Sequence, residues 1–437
     1  MPHIPLIVGL GLALCQGALA QNPPPASPPA PLRLTLLDAM ERARANSPQI
    51  LSANIAALLA REDTVQARAA RLPGVSSFNQ FIYTQPNGAP SGTFISNDGT
   101  HVYNNQAVVH GDIYSLKKIA DYRKTQVAEA VARAKAEIAS RGLTAVVVQS
   151  YYGMVSSTRK LANARQSLAE ARELLDITQK QERGGEAAHS DVVKAQIQVE
   201  QRQRDALESQ LGLDKVRLGF SVILFPDFRQ DFTVVDDLDA SRPLPPLAEV
   251  QKLAGASSPD IRAAQGAVEM KNWEIKSARA ARLPSLSFDY FFGINANQFA
   301  LHDPEGLRNY GSAAQIQLSI PLWTWGAARS KIRVAELGLQ QARNDLSLTQ
   351  RQLLANLNSF YLEADAASFQ IASLRHSLDL ATESLRLTRL RYQAGEVSVL
   401  EVVDAQSTLV DARNANDDGM VRYRLAVANL QTLTGAF

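Results

Sequence analysis

Glu401 and Asp404 stand three residues apart just after Gly395, so on a helix both carboxylates share one face. Crowded carboxylates repel one another, raise some of their own pKa values and attract cations, so the chemistry open to them is electrostatic selection of ions. A second reading competes with this one. Ser398-x-x-Glu401 has the spacing of a capping box, and acids in a first turn complement the helix dipole. Elsewhere the chain offers little that could make or break bonds. The histidines at 101, 110, 189, 302 and 376 lack ligand spacing, and no G-x-S-x-G, P-loop, H-E-x-x-H or cysteine cluster occurs. The one G-x-G, Gly9-Leu10-Gly11, lies in the apolar N-terminal run. No enzyme, no metal site and no cofactor is therefore expected.

The elements that position the acid pair come from a duplication. Ala67-Arg68-Ala69-Ala70-Arg71-Leu72-Pro73 recurs letter for letter as Ala278-Arg279-Ala280-Ala281-Arg282-Leu283-Pro284, and Ser47-Pro48-x-Ile50 faces Ser258-Pro259-x-Ile261, a shift of 211. Further on, Gly185-Glu186 and Asp191-Val192-Val193-Lys194-Ala195-Gln196 reappear as Gly395-Glu396 and Glu401-Val402-Val403-Asp404-Ala405-Gln406 at a shift of 210. A period this long marks a duplicated domain, not a solenoid of short units. In the first copy the acid pair becomes Asp191 and Lys194, so the acidic site is not extended to that copy.

Each copy opens with a helical pattern, Leu36 to Arg71 and Leu247 to Arg282, broken at the Ser-Pro pair and ended by Leu-Pro. The period then changes. Leu286, Phe288, Tyr290, Phe292 and Ile294 alternate with Ser287, Asp289, Phe291, Gly293 and Asn295, the two-residue repeat of a strand with one apolar face. Ala314, Ile316, Leu318 and Ile320 give the return strand. The first copy has a poorer version, Val75 to Tyr83 and Val102 to Tyr114, separated by Pro86-Asn87-Gly88 and Asn97-Asp98-Gly99. No proline occurs between Pro90 and Pro226 or after Pro321, and both tracts are rich in strong helix formers. A helix from Leu116 to about Arg183 would be roughly 100 Å long. Gly184-Gly185 and Gly395 then turn the chain back. The expected layout is a first repeat over 33–225 (β-hairpin about 74–114, helix hairpin about 115–220), a linker over 226–246, and a second repeat over 247–437 (β-hairpin about 285–321, helix hairpin about 326–435).

The termini and composition bound the compartment. An apolar run from Ile4 to Ala20 ends in Ala18-Leu19-Ala20, the pattern a signal peptidase cuts, so residues 1–20 read as a signal peptide although Met1-Pro2-His3 carries no Lys or Arg. A Pro-rich lead-in follows over 21–32. Cys15, the sole cysteine, lies in the run to be removed, and Leu14 before it argues against lipidation. The net charge of +2, with both signs interspersed, indicates no nucleic-acid partner. After the signal no stretch approaches the roughly 18 apolar residues of a spanning helix, so any membrane crossing is by strands. Two strands per copy make four, too few to close a barrel, and open edges are not tolerated in lipid. Closure must come from association, and the pattern alone admits a dimer or a trimer.

Two segments carry a resemblance. Leu318-Ser319-Ile320-Pro321-Leu322-x-x-x-Gly326 and Arg391-Tyr392-x-Ala394-Gly395-x-x-Ser398-x-Leu400-Glu401-Val402-x-Asp404-Ala405-Gln406-x-x-Leu409 resemble the signature segments of the TolC-like outer-membrane efflux proteins. The likeness covers nearly all of the chain beyond its signal. It implies a mixed α and β membrane protein in the bacterial outer membrane: a homotrimer whose 12-stranded β-barrel continues into a long periplasmic α-helical barrel. It also implies a passive exit duct for drugs or toxic compounds, working with a periplasmic adaptor and an inner-membrane transporter. The same architecture serves one-step protein secretion, and a poreless periplasmic scaffold is the rival from another class. By resemblance, Glu401 and Asp404 match an acidic ring at the periplasmic constriction, Gly185, Ser190, Gly395 and Ser398 mark helix tips that meet the adaptor, and Trp323 and Trp325 suit the aromatic girdle of the barrel. The first copy departs from the pattern at Val108-Val109-His110-Gly111-Asp112, which leaves the limits of its second strand open.

Overall fold

The computed structural model describes residues 32–83, 101–227, 229–239 and 243–436. The signal peptide with Cys15, nearly all of the Pro-rich lead-in and the first-copy turn sequences Pro86-Asn87-Gly88 and Asn97-Asp98-Gly99 lie outside these residues. In chain order the elements are β1 (Leu32–Leu34), α1 (Leu36–Asn46), α2 (Pro48–Ala69), β2 (Gly74–Tyr83), β3 (His101–Tyr114), α3 (Leu116–Arg183) and α4 (His189–Leu224). There follow β4 (Phe232–Val234), α5 (Leu247–Ser257), α6 (Pro259–Ala280), β5 (Ser285–Ala296), β6 (Tyr310–Ser319), α7 (Ala327–Gln393) and α8 (Val399–Thr434).

Local chemistry sets the breaks. Ser47 and Ser258 end one helix and cap the next, their side chains accepting from the Ile50 and Ile261 N–H groups, while Pro48 and Pro259 occupy the first helical position, where no N–H is needed. Between such stops α3 runs 68 residues and α7 runs 67. Each is about 100 Å of unbroken helix.

The helices form a row of columns. Next to α3 lie α2 above and α4 below on one side, and α6 and α8 on the other; α7 packs on the far side of α6 and α8. The row is α2/α4, α3, α6/α8, α7, and it has two lateral edges. At one end, β2, β3, β5 and β6 form a four-stranded antiparallel sheet in that order, with β2 and β6 unpaired on their outer sides among the described residues. At the waist, β1 pairs in parallel with β4, Leu32 to Phe232 and Leu34 to Val234. That pairing places a short strand inside 226–246, the stretch expected as a linker. A three-residue strand carries too few alternations to be read from its sequence.

The waist has the most extensive buried cluster among the described residues: Tyr151, Tyr152, Phe220, Leu224 and Phe232 are buried together, with Tyr151 and Tyr152 edge to face at 5.5 Å. Arg159 of α3 fastens the 235–239 segment to this core. Its guanidinium donates to Asp236 (2.5 Å), to Asp239 (2.9 Å) and to Asp417 of α8 (3.0 Å).

Candidate functional site

Both helix hairpins turn by the same device. At the first tip the Gly185 N–H donates to Glu182 O (2.9 Å) and the Glu186 N–H to Gln181 O (2.8 Å); at the second, Gly395 donates to Tyr392 O (3.0 Å) and Glu396 to Arg391 O (2.9 Å). Gly185 (φ 78°) and Gly395 (φ 76°) are left-handed, which only glycine adopts without cost. Ser190 lies one residue inside α4, while Ser398 is the residue at which α8 starts; both are exposed.

The capping-box reading of Ser398 and Glu401 does not survive. The Ser398 side chain takes no helix N–H; instead the Glu401 N–H donates to the Ser398 carbonyl at 3.1 Å, which occupies the donor a capping hydroxyl would need. Glu401 and Asp404 are both exposed, on the side of α8 away from the buried Val402, Ala405, Gln406 and Leu409. Neither carboxylate has an ion pair among the described residues. In the first copy, Lys194 pairs with Asp191 at 3.1 Å. The duplication therefore yields one site with an internal ion pair and one whose two acids have no cationic partner among the described residues.

The tips also hold contacts that sequence reasoning missed. The Tyr392 hydroxyl lies 3.0 Å from the Thr178 hydroxyl, both buried, which ties the end of α7 to the end of α3. Arg389 pairs with Glu173, and Arg413 with Glu170 at 3.3 Å. Tyr392 was visible as part of a motif, but nothing in the chain announced its partner 214 residues away.

At the other end the sheet has two unlike faces, because residues paired across antiparallel strands point the same way. One face carries Val75, Val109, Leu286, Phe288, Ile316 and Leu318, interrupted by the paired Asn79 and Asn105. The opposite face carries Gln80, Asn104, His110, Asp289, Gln315 and Gln317, interrupted by Phe78, Ile82, Val102, Val108 and Phe291. On it His110 Nδ1 lies 2.6 Å from Asp289, and Asn104 donates to Gln80 at 3.2 Å.

Trp323 and Trp325 follow β6, exposed and edge to face at 5.8 Å. Trp325 (φ 49°) and Gly326 (φ 82°) take left-handed conformations to start α7. At the strand ends distant from the helices a second aromatic group, which the sequence reading did not single out, sits on the apolar face: Phe81 against Tyr103 (4.8 Å) and Phe292 against Tyr310 (4.8 Å). Alternation at those positions was the available signal. A ten-residue strand such as β2 spans roughly 33 Å, enough when tilted to carry an apolar band of about 25 Å. No described helix is long and apolar enough to cross a membrane, and no metal-binding cluster occurs among the described residues.

A family model for outer membrane efflux proteins matches residues 39–216 and 250–436. The alkaline protease secretion protein AprF of Pseudomonas aeruginosa is 23% identical over 410 residues, 92% of this chain and 84% of that one. The outer membrane protein TolC of Vibrio cholerae is 22% identical over 404 residues, 92% of this chain and 90% of that one. The crystal structure of the Campylobacter jejuni CmeC outer membrane channel superposes with a TM-score of 0.80 at 16% identity, covering 92% of this chain and 85% of that one. Matched over both repeats, the chain belongs to the outer membrane efflux protein family.

Proposed function

We propose that three copies of this chain close into one conduit, a 12-stranded barrel in the outer membrane continued by a tunnel of twelve helix columns through the periplasm. Members of this family are channel proteins and not enzymes. The observation that carries the reading is that every layer of the chain is an incomplete wall. The sheet has four strands and two open edges, and the helix row ends in α2/α4 and α7, which both expose large apolar side chains such as Leu58, Leu211, Leu337 and Leu380. Open sheet edges are not tolerated in lipid, and joining the unlike edges of successive copies, β6 to β2 and α7 to α2/α4, buries both kinds of surface at once. In the closed ring the apolar sheet face meets lipid and the polar face with His110 and Asp289 meets water. Trp323 and Trp325 mark the periplasmic interface.

Cargo passes passively from a periplasmic adaptor and an inner-membrane transporter, with small molecules such as drugs or toxic compounds as the substrate class. The tips around Gly185, Ser190, Gly395 and Ser398 are the adaptor contacts, and opening requires them to splay. Protein secretion is the second reading, favoured by the similarity to a protease secretion protein over 92% of this chain. Glu401 and Asp404 gather as six carboxylates around the three-fold axis and select cations. Single-channel recording with Glu401→Ala and Asp404→Ala together tests this role: conductance rises and cation selectivity falls. Unchanged conductance and selectivity would remove both residues from the pore.

A further inference from the structure

Helix α3 has a column on each side, whereas its repeat equivalent α7 has α6 and α8 on one side and, among the described residues, no column on the other. The register between the two long helices is 210, since Arg141, Tyr151, Ala171 and Thr178 recur as Arg351, Tyr361, Ala381 and Thr388. At this register, positions that α3 buries are open on α7. Tyr152 is 1% exposed and its equivalent Leu362 is 68% exposed. Arg159 meets Asp417 of α8; the equivalents of this pair are Phe369 on α7, 75% exposed, and Leu207 on α4, 64% exposed.

The same comparison singles out Arg351. Its equivalent Arg141 reaches from α3 to the ends of two helices, donating to Ser257 O (2.9 Å), Leu433 O (3.2 Å) and Thr432 O (3.4 Å). There the Ser257 hydroxyl also donates to Thr434 O at 2.7 Å. The first copy repeats this junction: the Asn46 amide donates to Leu224 O at 2.7 Å. Yet the carbonyls of Asn46, Val222 and Ile223, equivalents of those of Ser257, Thr432 and Leu433, accept nothing among the described residues. Arg351 is exposed, and its one hydrogen bond among the described residues returns to Ser347 O of its own helix at 3.3 Å.

We infer that Arg351 of one copy caps the α1/α4 junction of the next, donating to the carbonyls of Asn46, Val222 and Ile223, while Phe369 packs on Leu207. The inference rests on the closed-ring reading and sets the register of its seams. A guanidinium at helix C-termini makes charge-assisted bonds to carbonyls that have no helical partner and complements the dipole. Where the chain packs on itself it uses the Arg159–Asp417 ion pair; between copies the same place holds an apolar pair, which avoids the desolvation of two charges on association.

Cysteine pairs in the exported protein test the register. With Leu207→Cys and Phe369→Cys, a short bis-maleimide produces covalent dimers and trimers on a denaturing gel, while Leu207→Cys with Leu380→Cys, 11 residues off register, does not. Arg351→Ala keeps the helix content of the chain and weakens assembly by about tenfold per seam, with Arg351→Lys intermediate. Assembly as strong as wild type, or cross-linking only through position 380, overturns the seam and leaves the ring standing. Failure of the wild-type protein to assemble at all, by native mass, overturns the ring itself.

Discussion

Replacing Arg159 by Met probes the fastening between the inter-repeat segment and the helices. The Arg159 side chain is 20% exposed, Asp417 is 11% exposed, and Asp236 and Asp239 are 40% and 73% exposed. The two outer carboxylates return to water at little cost, no more than about 1 kcal/mol each. Asp417 cannot. Among the described residues it keeps only the Asn163 amide at 3.0 Å, and stranding one partner of a mostly buried pair costs roughly 3–5 kcal/mol. The partial exposure of Arg159 places the expected loss near the lower bound, about 3 kcal/mol. Arg159→Phe with Asp417→Leu imports the residues that the repeat carries at Phe369 and Leu207, and regains most of that loss. Denaturant unfolding of detergent-solubilised protein, followed by circular dichroism, measures both effects. The pH dependence adds a second check. Burial pushes the Asp236 carboxyl up, but the Arg159 hydrogen bond, the Leu238 N–H and the charge of Arg159 outweigh it, leaving the group below the ordinary carboxylate range. A depressed carboxylate stabilises the fold above its unfolded pKa and loses that contribution as pH falls through the folded value, here below about pH 4. Arg159→Met flattens that acid limb. A single variant as stable as wild type, or a double variant no better than the single, would refute the reasoning.

Tyr392→Phe removes the buried link to Thr178, which still donates to Leu174 O at 2.8 Å. The loss is about 1 kcal/mol per chain, so single-channel recordings show more frequent openings if the link belongs to the closed tips, and hydrogen exchange near residue 178 rises by about fivefold. Gly293→Ala places a Cβ against the Asn105 carbonyl oxygen at a φ of 153°, conformationally glycine's own. It lowers the yield of sheet-assembled protein, whereas Gly311→Ala on β6, whose Cβ meets nothing within 4 Å and whose φ is not positive, leaves that yield intact.

Much of this architecture was legible because its signals are long. The absence of proline between Pro90 and Pro226 permits α3, and the Ser-Pro pairs show where α1 and α5 stop. Five alternations from Leu286 to Ile294 suffice to identify β5. Short or distant signals were hidden. Phe232–Val234 is too brief to show a period, and Thr178 meets Tyr392 only because two hairpins lie side by side. Ser398 has the right residue and spacing for a cap, but a backbone bond takes the N–H first. The duplication was readable in the letters, whereas its most informative consequence is the difference between equivalent places: Arg159 with Asp417 inside the chain, Phe369 and Leu207 at its edges.

In the proposed trimer one chain is a third of a wall. Native mass measurement of the detergent-extracted protein, with bilayer recording of the same sample, tests it most directly. A closed trimer gives a species of three chains that carries discrete, cation-selective current steps. A stable monomer, or an assembly that carries no current, would contradict it.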